Sequence, residues 1–375
     1  MRPQLIAVGP LLPDLQADLG VSHAVAGLLA TIPLLCMGVF AAPSSALRAR
    51  IGSRLAIAGG IALITVAGML RAVMPGTVGV VLLTVPIGIG IAVAGTVLPV
   101  AVKERLPDRP AFGTSVYATG ISVGAATAAA LAVPLAGLGS WRTSLFILSL
   151  AGVAAAAIWL GATRGERDDR PKVAPEPVRL PWRNPLAWTF VAMFSLLSVM
   201  YYGISSWLPD SYVERGWSDA AAGGLLGALN IAAIPGTFLI GAFAERYGSR
   251  RLVLVVCSIV SAVAIIGTIV VPGAAWIWAA VYGFVNGGVF ALMMTLPLDL
   301  GERPADAGAV AAMMLGVGYT VGALAPLLLG GVRDLTGSFT TSLWILAVAG
   351  VAFLGCSCLL SAERLRRRRI ATGSA

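Results

Sequence analysis

Residues 12–27 read LPDLQADLGVSHAVAG, and residues 208–223 read LPDSYVERGWSDAAAG. Aligned at an offset of 209 − 13 = 196, the two stretches match at Pro13/Pro209, Asp14/Asp210, Gly20/Gly216, Ser22/Ser218 and Gly27/Gly223. A self-match of this kind indicates an internal repeat, which has to be established before the fold class is argued.

The repeat continues through most of the chain. Arg50-x-Gly52-Ser53-Arg54 matches Arg246-x-Gly248-Ser249-Arg250 at the same offset of 196, and later matches follow at 297 − 99 = 198. A stretch rich in charge and proline separates the copies and is typical of a linker. The repeat therefore predicts an N-terminal six-helix bundle over 1–163, a linker over 164–184, a C-terminal six-helix bundle over 185–362 and a basic tail over 363–375.

The composition is that of an integral membrane protein. Hydrophobic residues make up 58% of the chain and charged residues 11%, whereas soluble proteins carry about a quarter charged residues. A water-exposed surface on 375 residues would need far more charge.

Long uncharged stretches mark the membrane spans, because about 20 apolar residues cross a bilayer. Residues 252–298 would form a helix of roughly 70 Å, so Pro272-Gly273 is expected to turn the chain back. The first apolar segment, Met1 to Leu12, is about half a span, and we infer that residues upstream of it are missing. We therefore predict an all-α fold of twelve spans with the first one truncated, and eleven complete spans over 24–47, 55–70, 72–102, 110–141, 143–163, 185–209, 220–244, 252–298 (two spans), 307–332 and 335–362.

The basic residues fix the expected orientation. Alternating the loops between two sides places 21 of the 26 basic residues on one side and only Arg71, Arg142, Arg215 and Arg333 on the other; Arg2 lies in the first apolar segment. Basic loops stay cytoplasmic, so both chain termini are expected in the cytosol and the protein in the plasma membrane. The net charge of +9 then faces anionic lipid, and no nucleic-acid partner is expected.

The sequence lacks the residue patterns that nucleotide-binding, metal-binding and catalytic sites require. Lys103 and Lys172, the two lysines, do not form a phosphate-binding Gly-Lys-Ser/Thr loop. We see no cluster of metal ligands and no nucleophile paired with a base within a span. We therefore expect no enzyme activity, cofactor, metal or nucleotide, and a monomeric protein; if it moves a solute across the membrane, ATP hydrolysis is not the driving force and the transport is secondary or passive.

A loop in the second copy carries a family motif. Residues 241–251 read GAFAERYGSRR, which resembles the cytoplasmic motif of the major facilitator superfamily. The resemblance implies two six-helix repeats that alternately expose a central site, and a cytoplasmic gate held by Glu245 and Arg246. Plain positive-inside charges at a short turn are the alternative, and Ala49 replaces the acidic residue in the first copy. The proposed gate residues are Arg50, Gly52, Arg54, Gly241, Glu245, Arg246, Gly248, Arg250 and Arg251.

Further motifs narrow the resemblance. Gly88-Ile-Gly90-Ile-Ala92, Leu98-Pro99 through Lys103, and Asp334-Leu-Thr336-Gly337-Ser338 are similar to the cyanate porter family, which includes nitroimidazole exporters. The resemblance covers nearly the whole chain. It implies transport of a small, anionic solute such as cyanate. An exporter of drugs or nitroimidazoles with the same fold, and a membrane sensor or scaffold that does not transport, are the alternatives.

The candidate binding residues are polar groups inside the spans. Arg2 lies 13 − 2 = 11 residues before Pro13, or about 16 Å of helix, which places it near the midplane, where a cation suits an anionic substrate. The alternative is a basic residue beside a genuine N-terminus. The remaining candidates are Tyr117, Tyr201, Tyr202, Asn230, Asn286 and Tyr319, with helix–helix contacts as the alternative for both asparagines.

Three other features receive a structural interpretation. We expect Trp207 in the interfacial aromatic belt. We expect His23 to be a solvated neighbour of a helix cap, with a proton-relay role as the alternative. Glycines such as Gly318 and Gly322 are expected to permit close helix packing. Because no carboxylate lies at mid-depth in a span, no proton carrier is evident, and exchange and uniport stay open.

Overall fold

A computed structural model describes residues 3–105, 110–165, 180–247, 249–299 and 304–360. Within these ranges the secondary structure is helical, without strands, so the all-α prediction is confirmed. The helices are α1 (Pro3–Ile6), α2 (Leu12–Leu19), α3 (His23–Val39), α4 (Ala41–Val73), α5 (Thr77–Arg105), α6 (Pro110–Ala136), α7 (Trp141–Ala162), α8 (Pro185–Val213), α9 (Asp219–Tyr247), α10 (Arg250–Val270), α11 (Ala275–Thr295), α12 (Pro304–Thr336) and α13 (Phe339–Leu359).

Ten of the described helices are long and apolar enough to cross a membrane, and α3 is a shorter apolar helix of 17 residues. The predicted turn at Pro272-Gly273 is present as a short 3₁₀ segment, Pro272–Ala274, between α10 and α11. Proline has no N–H to donate and cannot continue the preceding helix, so α10 ends at Val270. The described residues therefore contain ten candidate spans, one fewer than the eleven predicted, and the shorter helix α3 lies where the remaining span was expected.

The boundary between the second and third spans differs from the prediction. The expected span 24–47 is interrupted at Phe40 (φ −91°, ψ 4°), where α3 ends. Pro43 explains the break, because it cannot donate a hydrogen bond to the Val39 carbonyl and its ring clashes with that group. Within α4 the backbone is non-helical at Gly52 (φ 83°), a conformation that glycine adopts without a Cβ penalty.

The repeat is visible in matched backbone geometry. Gly20 and Gly216, at the ends of α2 and α8, both have positive φ (61° and 86°). Two residues later, the Ser22 and Ser218 side chains each accept a backbone N–H from three residues ahead, at 3.3 Å in both copies. The shared sequence LPD…G-x-S thus encodes the same helix–turn–helix junction twice, because the glycine ends one helix and the serine caps the next.

The connections between helices lie at two opposite ends of the helix assembly, the His23 end and the Arg50 end. The His23 end contains the connections near residues 20–22, 74–76, 137–140, 214–218, 271–274 and 337–338, and the Arg50 end contains residues 40–52, 163–165, 180–184, 249 and 296–299. Residues 3–165 form the first half and residues 180–360 the second half.

The two halves meet mainly at the His23 end. There α3 packs against α12, and the last turns of α6 pack against the first turns of α9. A Cβ on Gly27 would lie 2.6 Å from the Pro326 carbonyl oxygen, and a Cβ on Gly223 would lie 3.2 Å from Pro10. Glycine at these positions lets backbones from opposite halves approach closely.

The first apolar segment lies within the core. Residues Gln4 to Leu12 are all buried, with Ala7 and Leu11 at 0% exposure. The segment is irregular: α1 ends at Ile6, and Gly9–Leu11 forms a 3₁₀ turn around Pro10. A Cβ on Gly9 would overlap the Ser205 carbonyl oxygen of α8. The segment therefore contacts both halves.

Candidate functional site

Tyr201 and Asn230 meet near the middle of the second half. The Tyr201 hydroxyl donates to the Asn230 side-chain oxygen at 3.0 Å, and the Asn230 amide donates to the Leu226 carbonyl at 2.8 Å. Asn230 is 3% exposed. Tyr201 lies 12 residues before the end of α8 at Val213, or roughly 18 Å of helix. This pair therefore fixes a polar group at mid-depth.

Aromatic side chains of α8 and α12 form a layer beside this pair. The Tyr201 and Tyr202 rings pack edge to face at 5.1 Å, and Tyr202 lies 6.4 Å from Tyr319. Phe194 packs edge to face on Tyr319 at 5.1 Å. Gly318 makes this contact possible, since a Cβ there would overlap the Phe194 ring. The structure thus brings together Tyr201, Tyr202, Asn230 and Tyr319, and it supports close packing at Gly318.

Asn286 lies on α11 and is 8% exposed. Its side-chain oxygen has no hydrogen-bond partner among the described residues, and the same holds for the Tyr282 hydroxyl, which is one helical turn away on the same helix face. An unpaired buried polar group costs about 1–3 kcal/mol. Two such groups on one face favour a polar ligand or water there. The sequence analysis missed Tyr282, although its spacing of four residues from Asn286 was the available signal.

The first half contributes Tyr117, which is half-buried on α6. Arg2 lies outside the described residues. The next residue, Pro3, is close to α6: a Cβ on Gly124 would lie 3.9 Å from the Pro3 ring. Tyr117 is 124 − 117 = 7 residues from that contact, or two helical turns. The structure therefore places Tyr117 on the helix that the start of the chain contacts.

Arg71 corrects one prediction. Its position near a helix end suggested a loop charge, but its side chain is 0% exposed. Its guanidinium donates to the Gln4 side-chain oxygen at 2.8 Å and to the Gln4 carbonyl at 3.2 Å. Gln4 in turn donates to Ser149 at 2.7 Å. A long arginine side chain can extend back along the helix into the core, and sequence spacing does not show this.

The structure describes only part of the predicted gate motif. Arg50 and Arg246 are exposed, and Gly241 has open space around it. The Arg54 guanidinium donates to Thr163 at 3.1 Å, and Arg250 approaches the Thr295 carbonyl at 3.5 Å. In both halves a basic residue of the motif thus contacts a neighbouring helix end. Arg251 is also exposed, whereas Gly248 and the Glu245 side chain lie outside the described part of the chain.

Two interpretations of residues at the His23 end were wrong. Trp207 is 1% exposed, and its indole N–H donates to the Pro326 carbonyl at 2.8 Å, so it is a core residue and not part of an interfacial belt. His23 is not a solvated cap neighbour. It is partly buried and contacts Asp334 of the second half at 2.7 Å. Both residues became buried because α12 packs across them, which is a contact between halves.

Comparison with known proteins places this geometry in a family. Residues 4–326 match the sequence profile of the Major Facilitator Superfamily. The chain is 31% identical over 341 residues to the cyanate transport protein CynX of Escherichia coli (strain K12), covering 90% of this chain and 88% of that protein. It is 29% identical over 357 residues to the 2-nitroimidazole transporter of the same organism, covering 94% and 89% of the two chains.

A solved structure shares the fold. A bacterial homologue of the human lysosomal transporter Spinster, in an inward-facing and occupied conformation, superposes with a TM-score of 0.72 at 18% identity. The match covers 99% of this chain and 91% of that chain. The near full-length profile match, the similar transporters and the shared helical fold lead to one conclusion: this multi-pass membrane protein belongs to the Major Facilitator Superfamily of transporters.

Proposed function

We propose that the protein carries a small anionic solute, cyanate or an ion of similar size and charge, by alternately exposing a site between its two halves. The observation that carries the proposal is a set of neutral polar groups at mid-depth, in which Tyr201 donates to Asn230 and the buried Tyr282 hydroxyl has no partner among the described residues. A hydroxyl with a free hydrogen can donate to an anion and replace part of the water around it.

The charge of the site favours an anion over a cation. No Asp or Glu occurs at mid-depth in α8, α9, α11 or α12, where the carboxylates of the described residues lie near helix ends. A cation that enters this site loses its water and meets no negative charge in return, which is costly in a low-dielectric region. Arg2, near the predicted midplane, is the cation we assign to the anion. The similarity to a cyanate transport protein over 90% of the chain supports this choice.

The direct test is uptake of labelled cyanate into proteoliposomes containing the purified protein. We expect saturable uptake, with Tyr282→Phe raising KM by roughly tenfold, because one buried hydroxyl donor contributes about 1–2 kcal/mol to binding. Tyr247→Phe is the matched control, since Tyr247 is 61% exposed and the same hydroxyl is removed there. Absence of saturable uptake by the wild-type protein would reject cyanate as the substrate.

A second candidate, export of a flat aromatic solute such as 2-nitroimidazole, is favoured by the aromatic layer of Phe194, Tyr202 and Tyr319. Planar rings stack on such side chains. Exchange of labelled 2-nitroimidazole across proteoliposomes, with loss of the exchange in Tyr319→Ala and no dependence on Arg2, would establish this function. Exchange unaffected by Tyr319→Ala would remove the aromatic layer from the site.

A further inference from the structure

His23 lies where α3 of the first half meets two helices of the second half. Its ring nitrogen Nδ1 is 2.7 Å from Asp334 Oδ1, and the backbone N–H groups of His23 and Ala24 donate to the same carboxylate at 3.1 and 2.9 Å. The Asp334 carboxylate therefore occupies the N-terminus of a helix from the opposite half, where the helix dipole favours a negative charge.

This contact assigns the proton on one side of the ring. An ionised carboxylate can only accept hydrogen bonds, so Nδ1 carries a hydrogen. The other nitrogen, Nε2, then faces Asp210 Oδ2 of α8 at 3.8 Å. Asp210 is 5% exposed, and Oδ2 has no hydrogen-bond partner among the described residues.

One additional proton would supply the missing hydrogen-bond donor between Nε2 and Oδ2. A proton on Nε2 gives an imidazolium facing a carboxylate, and a proton on Oδ2 gives a carboxylic acid facing a lone pair. Without that proton, a nitrogen lone pair faces a buried carboxylate, and neither group has a donor to offer. Burying an uncompensated charge is costly, so this closed geometry favours the protonated pair.

Charged groups around the His23–Asp210 pair also favour its protonated form. The groups that face the pair are Asp334 and Arg333 of α12, Glu214 directly after α8 and Asp219 of α9. Arg333 already pairs with Glu214. Asp219 therefore adds negative potential around Asp210, and negative potential favours proton binding.

Aromatic rings limit the access of water to His23. The ring centroids of Trp207 and Phe339 lie 5.7 and 5.4 Å from the centroid of the imidazole.

Like charges also face each other between the halves: desolvation and the negative charge of Asp219 raise the pKa of Asp14. A raised pKa in the closed arrangement means that closure is favoured at low pH and disfavoured as pH rises. Asp14 thus has the same sign of pH dependence.

We propose that the His23–Asp210 pair is a proton-binding site that takes up one proton when the two halves close at the His23 end. The proton comes from water, binds between Nε2 and Oδ2, and returns to water when α3 separates from α8 and α12. The inference rests on the alternating movement of the proposed function and adds a chemical partner, the proton. Closure of this end is then favoured at low pH and weakened as pH rises.

The test measures the distance between the halves without any substrate. Spin labels at Leu138→Cys and Leu335→Cys, which are 72% and 89% exposed at the His23 end of opposite halves, report closure in a protein whose four native cysteines are replaced. We expect the short-distance population to fall as pH rises from about 5 to 8, because the pair then loses its proton.

Two variants test the residues. Asp210→Asn keeps a neutral hydrogen-bonding group and should stay closed across that pH range. His23→Gln keeps a donor to Asp334, and it should lower the midpoint because Asp210 must then bind the proton without the imidazole. Asp18→Asn is the control, since Asp18 pairs with Arg142 within the first half at 3.2 Å; it should keep the wild-type midpoint.

Two results would each overturn the proposal. A wild-type distance that does not change with pH, or an unchanged midpoint in Asp210→Asn, overturns the proposal. If Asp210→Asn fails to fold, His23→Gln decides, and an unchanged midpoint in that variant also overturns it. Because no solute is present, failure to transport cyanate leaves this result unaffected.

Discussion

The Arg71 guanidinium donates to the Gln4 side-chain oxygen at 2.8 Å in the core of the first half, where both residues are almost completely buried. The described residues place no carboxylate against this cation. Gln4 therefore supplies the acceptors, and it links the irregular first segment to α4 and, through Ser149, to α7.

We predict that Gln4→Leu is strongly destabilising, by about 3 kcal/mol, because it leaves a buried cation without its main acceptor. Arg71→Met should cost much less, since it replaces the charge with an apolar side chain of similar length. The double variant should recover most of the stability that Gln4→Leu loses. Thermal unfolding in detergent measures all three, and additive effects of the two changes would contradict the account.

The packing of α9 on α11 depends on glycine. A Cβ on Gly283 would overlap the Leu229 carbonyl oxygen, and backbone atoms cannot move aside as a flexible side chain can. Gly283→Ala should therefore lower the Tm and reduce transport, because it separates the helices that carry Asn230 and Asn286. Gly355→Ala, on α13 with open space around it, should leave the Tm unchanged or raise it. Equal Tm values in both variants would show that α9 and α11 can separate freely.

Arg2 is predicted to attract the anion. In proteoliposomes, Arg2→Gln should reduce cyanate uptake by about 100-fold or more, because a buried charge pair contributes several kcal/mol to binding. Arg2→Lys should retain part of the uptake, since it keeps the charge and loses the planar fork. The Tm of each variant separates loss of binding from loss of folding. Unchanged uptake in Arg2→Gln would remove Arg2 from the site.

The Glu245–Arg246 motif is proposed to hold the Arg50 end closed. Arg246→Ala should lower the maximal rate of transport by roughly tenfold, because stabilisation of one state by about 1–3 kcal/mol is lost, while KM changes little. Arg183→Ala is the control, as an exposed basic residue at the same end outside the motif. If both variants keep the wild-type rate, the arginine acts only as a positive-inside charge.

The Arg50 end is proposed to face the cytosol, with the protein in the plasma membrane. In intact cells, a maleimide that cannot cross the membrane should label Leu138→Cys and should not label Gly165→Cys until the cells are opened. These residues lie at opposite ends and are exposed. The reverse labelling pattern would invert the topology, because the excess of basic residues would then be outside.

Several local features of the fold could be predicted from the sequence. In the structure, the repeated sequence around Pro13 and Pro209 forms two junctions with the same glycine conformation and the same serine cap. The turn at Pro272 was also predicted correctly. These features depend on short-range chemistry, such as apolar length, proline without an N–H and glycine at positive φ, which a linear pattern contains.

Contacts between distant helices could not be predicted in this way. His23 and Asp334 are 311 residues apart, and the sequence around either residue does not predict a contact with the other. Arg71 was expected in a loop, and Trp207 in the aromatic belt, because their positions near helix ends carry no information about the helix that covers them. Tyr282 was overlooked although its spacing of four residues from Asn286 was visible, because the sequence does not show that its hydroxyl is buried and lacks a partner among the described residues.

The sequence by itself therefore determined that this chain is a duplicated, all-helical membrane protein, because hydrophobic length and helix-ending residues are properties of short segments. The tertiary structure alone decided which polar groups lie in the core and which meet between the halves, at Gln4, Arg71, His23, Asp210 and Asp334. The physical reason is that burial and charge pairing depend on distances between helices, and those distances are set by packing of the whole assembly.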